Sequence, residues 1–320
     1  MASYREAGVD LEGAERHVAS IASLVTETWG TEVVGSFGGF AAGIRMPKGY
    51  TNPVLMMSTD GVGTKLELAR QSGIWAGVGF DLVAMCIDDL TAIGARPLGF
   101  VDYMAVGTLD PERDNAIVAS IARACAAAGC PLLGGETAEH PGVMAIDAVD
   151  LAGAVIGVVE EGEELSPSSV DVGDAIIGLA SPNLRSNGFS LIRSVFSDSI
   201  PYEELLEPSI IYSNAVLAVA ERIKSAAHIT GGGLPANVMR AIPPGLGARV
   251  DRSTWQPPAI FATVAAQGVP TDQMFQTFNM GIGFCLVADP DLAPGLIDAL
   301  TRSGPAVIGN VTDTGKFELV

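Results

Sequence analysis

Asp60-Gly61-Val62-Gly63-Thr64-Lys65 is the stretch around which this chain is organised. It follows an apolar run at residues 54–57 and leads into residues 66–70, whose composition favours a helix. The order predicts a strand, a tight loop and a helix. Two glycines allow the backbone to approach a ligand, Lys65 adds a cation, and Asp60 leaves a carboxylate at the strand end, where a hard metal ion can bind.

This loop does not have the Walker A spacing, in which the first glycine lies further from the Gly-Lys pair. An ordinary P-loop is therefore excluded. Two interpretations of the hexapeptide remain: a magnesium–nucleotide site, or a glycine turn beside a solvated lysine. The rest of the chain has to decide between them.

Length and composition indicate a folded protein with more than one domain. The 320 residues are 48% hydrophobic and 17% charged, which excludes general disorder and leaves room for two cores. One of the longest apolar segments, residues 151–159, is too short to span a membrane, and the N-terminal residues lack a signal-peptide pattern. We expect a soluble cytoplasmic protein with no membrane partner.

The charge balance argues against a nucleic-acid partner. There are 18 Lys and Arg against 37 Asp and Glu, a formal charge of −19, so a broad basic surface is excluded. Few Lys and Arg side chains are therefore present to form a phosphate-binding site. Those beside glycine-rich or turn-like segments are Lys65, Arg96, Arg185, Arg193 and Arg240. The four cysteines form no CxxC pair and no zinc-finger spacing, which indicates reduced thiols.

Two elements of the first half carry further candidate ligands. In a helix predicted over residues 80–94, Asp89 falls on an apolar stripe, where a carboxylate is costly unless it binds metal, forms a buried salt bridge or caps an element. Asp81 and Asp88 share another stripe, which we place nearer the polar edge. An apolar strand at residues 130–133 is predicted to end before Gly134-Gly135-Glu136, so Glu136 adds a third acidic ligand of the kind magnesium uses.

Glycine-rich segments provide the remaining candidates. Residues 35–40, which include Gly38 and Gly39, are either a mobile flap over a nucleotide or a connector. Ser186-Asn187-Gly188 precedes a helix that we expect the Ser and Asn to cap, with free amides that suit an anion. Gly231-Gly232-Gly233 opens another helix and either cradles a phosphate or acts as a joint. Residues 277–284 read as a kinked strand.

The polar stretch at residues 160–169 marks a predicted domain boundary, which gives domains at 1–162 and 170–320. Taken together, the blocks YREAGVD (4–10), TDGVGTK (59–65), GFDLVAMC (79–86), GGETAE (134–139), SNG (186–188), HITGGG (228–233) and TFN (277–279) closely resemble the AIR synthetase family, the phosphoribosylformylglycinamidine cyclo-ligases of purine biosynthesis. Several blocks in one order are more specific than any single glycine motif.

The resemblance implies a two-domain α/β (α+β) fold, with a mixed-sheet N-terminal domain that forms a homodimer and a C-terminal α/β domain. It implies a ligase that uses ATP and Mg²⁺ to close formylglycinamidine ribonucleotide into aminoimidazole ribonucleotide. The implied metal ligands are Asp60, Asp89 and Glu136. The implied nucleotide-binding residues are Gly38, Gly39, Asp60, Gly61, Gly63, Thr64 and Lys65. The implied substrate-binding residues are Ser186, Asn187, Gly231, Gly232, Gly233 and Asn279. The catalytic candidates are Lys65, Asp89, Arg185 and His228, of which His228 either moves a proton or orients its loop.

Three positions depart from the family pattern. Arg185 stands where the family often has His, Asp88 where Asn is usual, and Ile210 where an Arg is expected. These departures motivate one alternative, a catalytically silent nucleotide-binding paralogue. Enzymes that share the scaffold, of the selenophosphate synthetase or thiamine-monophosphate kinase type, are another; the first carries a reactive Cys near its N-terminus, and no Cys occurs here before Cys86.

Overall fold

The structure is a computed structural model that describes residues 11–197 and 199–320. The YREAGVD block at 4–10 therefore lies outside the described residues. The described chain forms a four-stranded and a six-stranded sheet, each with helices, and a small two-stranded sheet. No helix in this part of the chain combines the length and apolar character needed to cross a membrane.

The first half runs through six strands and four helices up to residue 160. They are α1 (Leu11–Thr26), β1 (Val33–Val34), β2 (Gly43–Ile44), β3 (Pro53–Gly61), α2 (Lys65–Ser72), α3 (Val78–Ala92), β4 (Arg96–Val106), α4 (Pro111–Ala128), β5 (Leu132–Glu139) and β6 (Val149–Glu160). Local signals explain the clearest boundaries. Asp110 accepts hydrogen bonds from the backbone N–H groups of Glu112 and Arg113 at the start of α4, and Gly129 ends it in the left-handed conformation.

The four-stranded sheet has the order β3-β6-β4-β5, in which only β4 and β5 are parallel. Helices α3 and α4 pack together, and α3 packs on strands β3, β4 and β6, where Leu82 and Phe100 are fully buried. Large apolar side chains on the same sheet stay exposed, namely Leu55, Met57, Val101 and Tyr103. Strand alternation puts Met57, Val101 and Tyr103 on the outer face of the sheet.

Strand β5 is longer than the sequence predicted. It continues through Gly134, Gly135 and Glu136 to Glu139, because these residues pair in parallel with β4. The predicted glycine–carboxylate loop is thus the middle of an edge strand.

The second half runs from residue 175. Its elements are β7 (Ala175–Ala180), α5 (Phe189–Val195), α6 (Tyr202–Leu205), α7 (Ser213–Leu217), β8 (Ser225–His228), α8 (Gly233–Arg240), β9 (Gly247–Val250), α9 (Ala259–Ala265), α10 (Thr271–Thr277), β10 (Ile282–Ala288), α11 (Ala293–Ala299), β11 (Pro305–Thr312) and β12 (Phe317–Leu319). The sheet order is β12-β9-β11-β7-β10-β8, and every pair except β12-β9 is antiparallel.

Two local predictions for this half are wrong. The kinked strand expected at 277–284 is the end of α10, a turn with positive φ at Met280 and Gly281, and only then strand β10. Helix α5 begins after Gly188, which has a φ of 81°, and no side chain caps it. A left-handed glycine makes the turn there, so Ser186 and Asn187 are free for other contacts.

Helix α3 joins the two halves through carboxylates. Asp81 accepts hydrogen bonds from the backbone N–H and the hydroxyl of Ser209, at 3.0 and 2.6 Å. Asp88 accepts one from the backbone N–H of Tyr212 at 2.9 Å. Asp81 and Asp88 were predicted to lie near the polar edge of the helix. Both are instead fully buried, because the second half of the chain packs over them.

Arg185 completes the bonding of Asp88. Its guanidinium donates to the Asp88 carboxylate at 2.7 Å, and both side chains are 0% exposed. The same guanidinium lies 4.9 Å from the ring centre of Tyr212, a cation–π distance. Arg185 and Asp88, two of the departures from the family pattern, are therefore partners in one buried ion pair.

Lys65 forms a second buried pair with α3. Its ammonium forms an ion pair with Asp81 at 2.8 Å and donates to the backbone carbonyls of Arg185 and Glu207, each at 3.0 Å. These three partners surround the ammonium group, which is 0% exposed. We therefore correct the prediction that Lys65 meets the nucleotide phosphates: in this structure it joins the two halves of the chain.

We predict that Asp88→Asn alone destabilises the protein by about 3–5 kcal/mol, because it leaves the buried Arg185 charge without its partner. Adding Arg185→His should recover most of that loss, since the double variant has the pair of side chains usual in the family. Urea unfolding of both variants measures the difference.

Asp171→Asn is the matched control, because Asp171 pairs with Lys224 while its own side chain is 81% exposed. An exposed pair contributes at most about 1 kcal/mol. A single Asp88→Asn variant that unfolds like this control would contradict the role given to the buried pair.

Candidate active site

Asp89 and His228 meet where α3 faces the second half, and Asp60 lies near enough to interact with both of them electrostatically. Asp60 ends β3 and is exposed, Asp89 lies near the end of α3 with its side chain 42% exposed, and His228 ends β8. The imidazole Nδ1 of His228 lies 2.9 Å from an oxygen of Asp89, and the Ser58 hydroxyl lies 3.4 Å from the other. Asp89 and His228 line a cavity of about 260 Å³ together with Arg240.

The electrostatics of this pair favour a bound cation. Asp60 reaches solvent but is partly surrounded by protein, and this partial desolvation raises its pKa; the negative charge of Asp89 raises it further, while the N–H of Gly61 opposes the shift. Burial is the largest influence on Asp89 and acts to raise its pKa, but His228, Arg240 and Ser58 together outweigh it and hold that pKa below its ordinary value. Two neighbouring carboxylates that repel each other gain stability when a cation lies between them.

His228 is the most buried member of this group. Its side chain is 4% exposed, and it stacks on Phe284 with 6.2 Å between the ring centres. Among the described residues its Nε2 has no hydrogen-bond partner. The imidazole therefore positions Asp89 through one nitrogen and keeps the other unused.

Glu136 does not join Asp60 and Asp89 within one protomer. The strand register aligns Gly61 with Ala152, Tyr103 and Glu136 across the sheet, so three strand spacings separate β3 from β5. That distance is about 14 Å. No group of three metal-ligating side chains occurs within residues 11–197 and 199–320. Asp60 and Asp89 fit a magnesium ion that also takes phosphate oxygens, and Glu136 is placed elsewhere.

The glycine loop after Asp60 is open to a ligand. Gly63 has a φ of 68°, a conformation that favours glycine, and nothing lies within 4 Å of where its Cβ would be. Thr64 lies 3.1 Å from the Ser190 hydroxyl, and both Gly63 and Thr64 line a cavity that Arg193 also borders. Arg193 is the exposed cation beside this loop, and Arg240 is the exposed cation beside Asp89 and His228. Lys65 and Arg185, the cations predicted for the site, are both buried.

The substrate loops predicted from sequence lie side by side. A Cβ at Gly231 would be 3.7 Å from the Asn187 side-chain oxygen. Asn237 fixes the triple-glycine loop by donating to the carbonyls of Thr230, Gly231 and Gly233 at 2.9–3.2 Å. The Ser186 hydroxyl is buried and has no partner among the described residues. This pair of loops keeps polar groups available.

Asn279 and Arg185 are placed differently from the prediction. Asn279 is 3% exposed, donates to the Asn183 carbonyl at 2.9 Å and accepts from the Gly281 N–H at 2.8 Å. It therefore holds the turn before β10 and is not available to substrate. Arg185 is buried against Asp88, as described above, so its charge does not face the cleft.

A second cavity, of about 650 Å³, lies at the β5 edge of the sheet. The glycine-rich segment that contains Gly38 and Gly39 forms one wall, and Phe40 in that segment is fully exposed. Glu136 borders this cavity together with Asp102, a residue that the sequence analysis did not single out. Ser58 was missed as well, because a serine inside an apolar strand carries no sequence signal of its own.

Both halves of the chain match family models. The AIR synthase related protein, N-terminal domain, matches residues 40–159, and the C-terminal domain of the same family matches residues 171–320. A phosphoribosylformylglycinamidine cyclo-ligase from Sorangium cellulosum is 43% identical over 98% of this chain and 96% of its own length. One from Thermosynechococcus vestitus is 47% identical over 89% and 88%.

Solved structures agree on the fold. A thiamine-monophosphate kinase from Stenotrophomonas maltophilia superimposes with a TM-score of 0.67 at 18% identity, over 94% of this chain and 95% of its own. HypE from E. coli, a hydrogenase maturation protein, superimposes with a TM-score of 0.69 at 17% identity, over 93% and 92%. At these identities the likeness shows the fold alone, whereas the closer relatives identify the family. The chain belongs to the phosphoribosylformylglycinamidine cyclo-ligase, or AIR synthetase, family.

Proposed function

We propose that this protein catalyses the ATP-dependent cyclisation of formylglycinamidine ribonucleotide to 5-aminoimidazole ribonucleotide, with release of ADP and phosphate. The relatives that share 42–47% of its sequence all carry the cyclo-ligase name. The observation that carries the proposal is the pair of carboxylates, of which Asp60 is followed by the open loop at Gly63 and Asp89 is backed by His228.

The reaction explains why these groups are needed. The formyl oxygen is a poor leaving group until it accepts the γ-phosphoryl group of ATP. The ribose-bearing nitrogen then forms a bond to the formyl carbon, and the carbon–oxygen bond breaks as inorganic phosphate leaves. The protein has to position two anionic molecules and neutralise their charge.

Asp60 and Asp89 would hold Mg²⁺, which neutralises phosphate charge when it is bound. The loop amide of Gly63 and the side chain of Arg193 suit the nucleotide phosphates, whereas the Gly61 N–H, predicted to meet them, donates to the Asp60 carboxylate. On the other side of the cleft, Ser186, Asn187 and the triple-glycine loop suit the substrate. His228 positions Asp89, and Arg240 adds a cation next to it.

We further propose that the protein is a homodimer formed through the four-stranded sheet, and that Glu136 completes the site of the partner. Met57, Val101 and Tyr103 form an exposed apolar patch on the outer face of that sheet, and such a patch favours a protein interface. Within one protomer Glu136 lies at the opposite sheet edge from Asp60, so a second copy is needed to bring the three carboxylates together.

A silent nucleotide-binding paralogue is the rival function. Two of the departures that motivate it, Asp88 and Arg185, pair with each other, and Ile210 packs against an apolar cluster. Asp88 and Arg185 are both fully buried, so these two departures remove no group that faces the cleft.

The assay that tests the proposal follows ADP and aminoimidazole product together, with ATP and Mg²⁺, with and without formylglycinamidine ribonucleotide. We expect one ADP for each product molecule formed, and little ADP when the substrate is omitted. ATP binding without substrate-dependent turnover would favour the silent paralogue.

Asp89→Asn should lower magnesium-dependent turnover by about 10²–10³-fold or more, because it removes a metal ligand where transition-state charge is neutralised. The fold should persist, since the Asp89 side chain is partly exposed. The exposed Asp272 provides the control variant Asp272→Asn, whose rate should equal that of the wild type. An unchanged rate in Asp89→Asn would remove Asp89 from the metal site.

A mixed dimer tests the shared site. Asp89→Asn and Glu136→Gln should each be inactive alone, but their purified heterodimer should recover about half the wild-type activity, because a two-fold dimer then keeps one intact site of two. A heterodimer of Asp89→Asn and Asp60→Asn should stay inactive, since each site has lost a ligand. Equal inactivity of both heterodimers would place Glu136 outside the partner's site.

A further inference from the structure

One buried amide side chain, that of Asn237 in α8, fastens the triple-glycine loop from behind. The residue is 2% exposed, and its amide nitrogen donates to the carbonyl oxygens of Thr230, Gly231 and Gly233 at 3.2, 3.2 and 2.9 Å. Three carbonyls around one end of the side chain require the NH₂ group at that end, because a second acceptor there would be repelled. The loop therefore fixes the orientation of the amide, and the amide fixes the loop.

These hydrogen bonds set the direction of two backbone N–H groups. No peptide bond in the described chain is cis, and in a trans peptide unit the C=O and the N–H point in opposite directions. The Thr230 carbonyl shares its peptide unit with the Gly231 N–H, and the Gly231 carbonyl shares its unit with the Gly232 N–H. Because both carbonyls turn inward to Asn237, both N–H groups turn away from the buried amide.

The two N–H groups remain available to a ligand. Among the described residues, neither the Gly231 N–H nor the Gly232 N–H donates a hydrogen bond. Gly231 is exposed, and Gly232 is in the left-handed conformation, with a φ of 94°. Successive N–H groups in such a turn form a concave site that favours an anion.

Two buried side chains beside the loop point independently to a polar ligand. His228 is 4% exposed and borders the 260 Å³ cavity together with Asn237 and Arg240, yet its Nε2 has no partner among the described residues. The buried hydroxyl of Ser186 also lacks one there, and the side chain of the next residue, Asn187, lies beside the loop. Buried polar atoms without partners are costly, and a ligand or an ordered water satisfies them.

The same amide holds a cation at the cavity wall. The side-chain oxygen of Asn237 accepts a hydrogen bond from Nη1 of Arg240 at 3.3 Å, and Arg240 is exposed on the cavity. Exposed cations are scarce in a chain with a formal charge of −19. One that is tied to the loop through Asn237 adds to the attraction of this region for an anion.

We propose that Asn237 is a positioning residue that turns the N–H groups of Gly231 and Gly232 towards the 5′-phosphate of the substrate. The inference rests on the proposed function, which supplies that substrate and places the ATP phosphates at the other loop, beside Gly63. Asn237 does not touch the substrate, so its influence on the phosphate passes through the backbone of the triple-glycine loop.

Removing the amide should weaken the enzyme's preference for a phosphorylated substrate. The two probes are formylglycinamidine ribonucleotide and the matching ribonucleoside, which lacks the phosphate, each assayed with ATP and Mg²⁺. We expect Asn237→Ala to lower kcat/KM for the ribonucleotide by about 10–100-fold, the size of one hydrogen bond to a charged group. For the ribonucleoside, kcat/KM should stay within about threefold of the wild-type value, because no phosphate contact is lost.

Asn214→Ala is the matched control. Asn214 also donates its amide to a backbone carbonyl, that of Ala127 at 2.8 Å, but it is an exposed residue of α7 and does not border the 260 Å³ cavity. Its kcat/KM for both probes should equal that of the wild type. Circular dichroism and urea unfolding verify the fold of each variant, and a general loss of structure would lower turnover of both probes together.

An NMR titration of the wild-type protein tests the orientation directly and does not depend on the folding of Asn237→Ala. Spectra that correlate each amide proton with its nitrogen are recorded without ATP, with the ribonucleotide and then with the ribonucleoside. We expect the amide protons of Gly231 and Gly232 to shift downfield with the ribonucleotide only, because a phosphate oxygen then accepts their hydrogen bonds.

An equal loss of turnover with both probes in Asn237→Ala overturns the inference, as does ribonucleotide binding without a shift of either amide proton. A higher KM for ATP with an unchanged preference for the ribonucleotide also overturns it, because the loop would then serve ATP. Ribonucleotide-dependent shifts at Gly231 and Gly232 without any conversion by the wild type would support the inference and overturn the proposed function alone.

Discussion

The need to neutralise three carboxylates on one helix shapes the whole molecule. Asp81, Asp88 and Asp89 of α3 all face the second half of the chain, and each meets a different partner: Lys65, Arg185 and His228. The first two pairs are fully buried, where losing either partner would leave an uncompensated charge. Docking of the two halves is therefore specified by charge pairing, and the same docking fixes Asp89 at the edge of the cleft.

This arrangement changes the meaning of the departures from the family pattern. Taken one at a time, Arg185 replaces an imidazole that could transfer a proton, and Asp88 adds a negative charge. In the structure the two side chains lie 2.7 Å apart and form one buried ion pair. An ionic pair thus replaces the polar pair usual in the family, and neither side chain reaches the cleft. Their pairing supports retention of activity, because the groups proposed to face the ligands, Asp60, Asp89 and His228, are all present.

Sequence patterns were sufficient to predict elements with strong local signals. They were insufficient to predict side-chain contacts that depend on segments distant in the sequence. The helix predicted over residues 80–94 is α3 (Val78–Ala92), within two residues at each end, because its apolar residues recur at helical spacing. Lys65 was wrongly given to the phosphates, since nothing local shows that Glu207 and Asp81 enclose it. Asp60 and Asp89 are on elements that were correctly recognised, whereas Glu136 lies inside a strand that was predicted to end before it. The register that separates Glu136 from Asp60 depends on strand order, which no local pattern contains.

The central claim is that the formyl oxygen of the substrate becomes an oxygen of the released phosphate. Turnover of formylglycinamidine ribonucleotide labelled with ¹⁸O at the formyl group, followed by mass spectrometry of the inorganic phosphate, tests it most directly. The account predicts one ¹⁸O atom in each phosphate, formed in step with the aminoimidazole product. Unlabelled phosphate would mean that ATP is hydrolysed by water, and it would contradict phosphorylation of the formyl oxygen as the activating step.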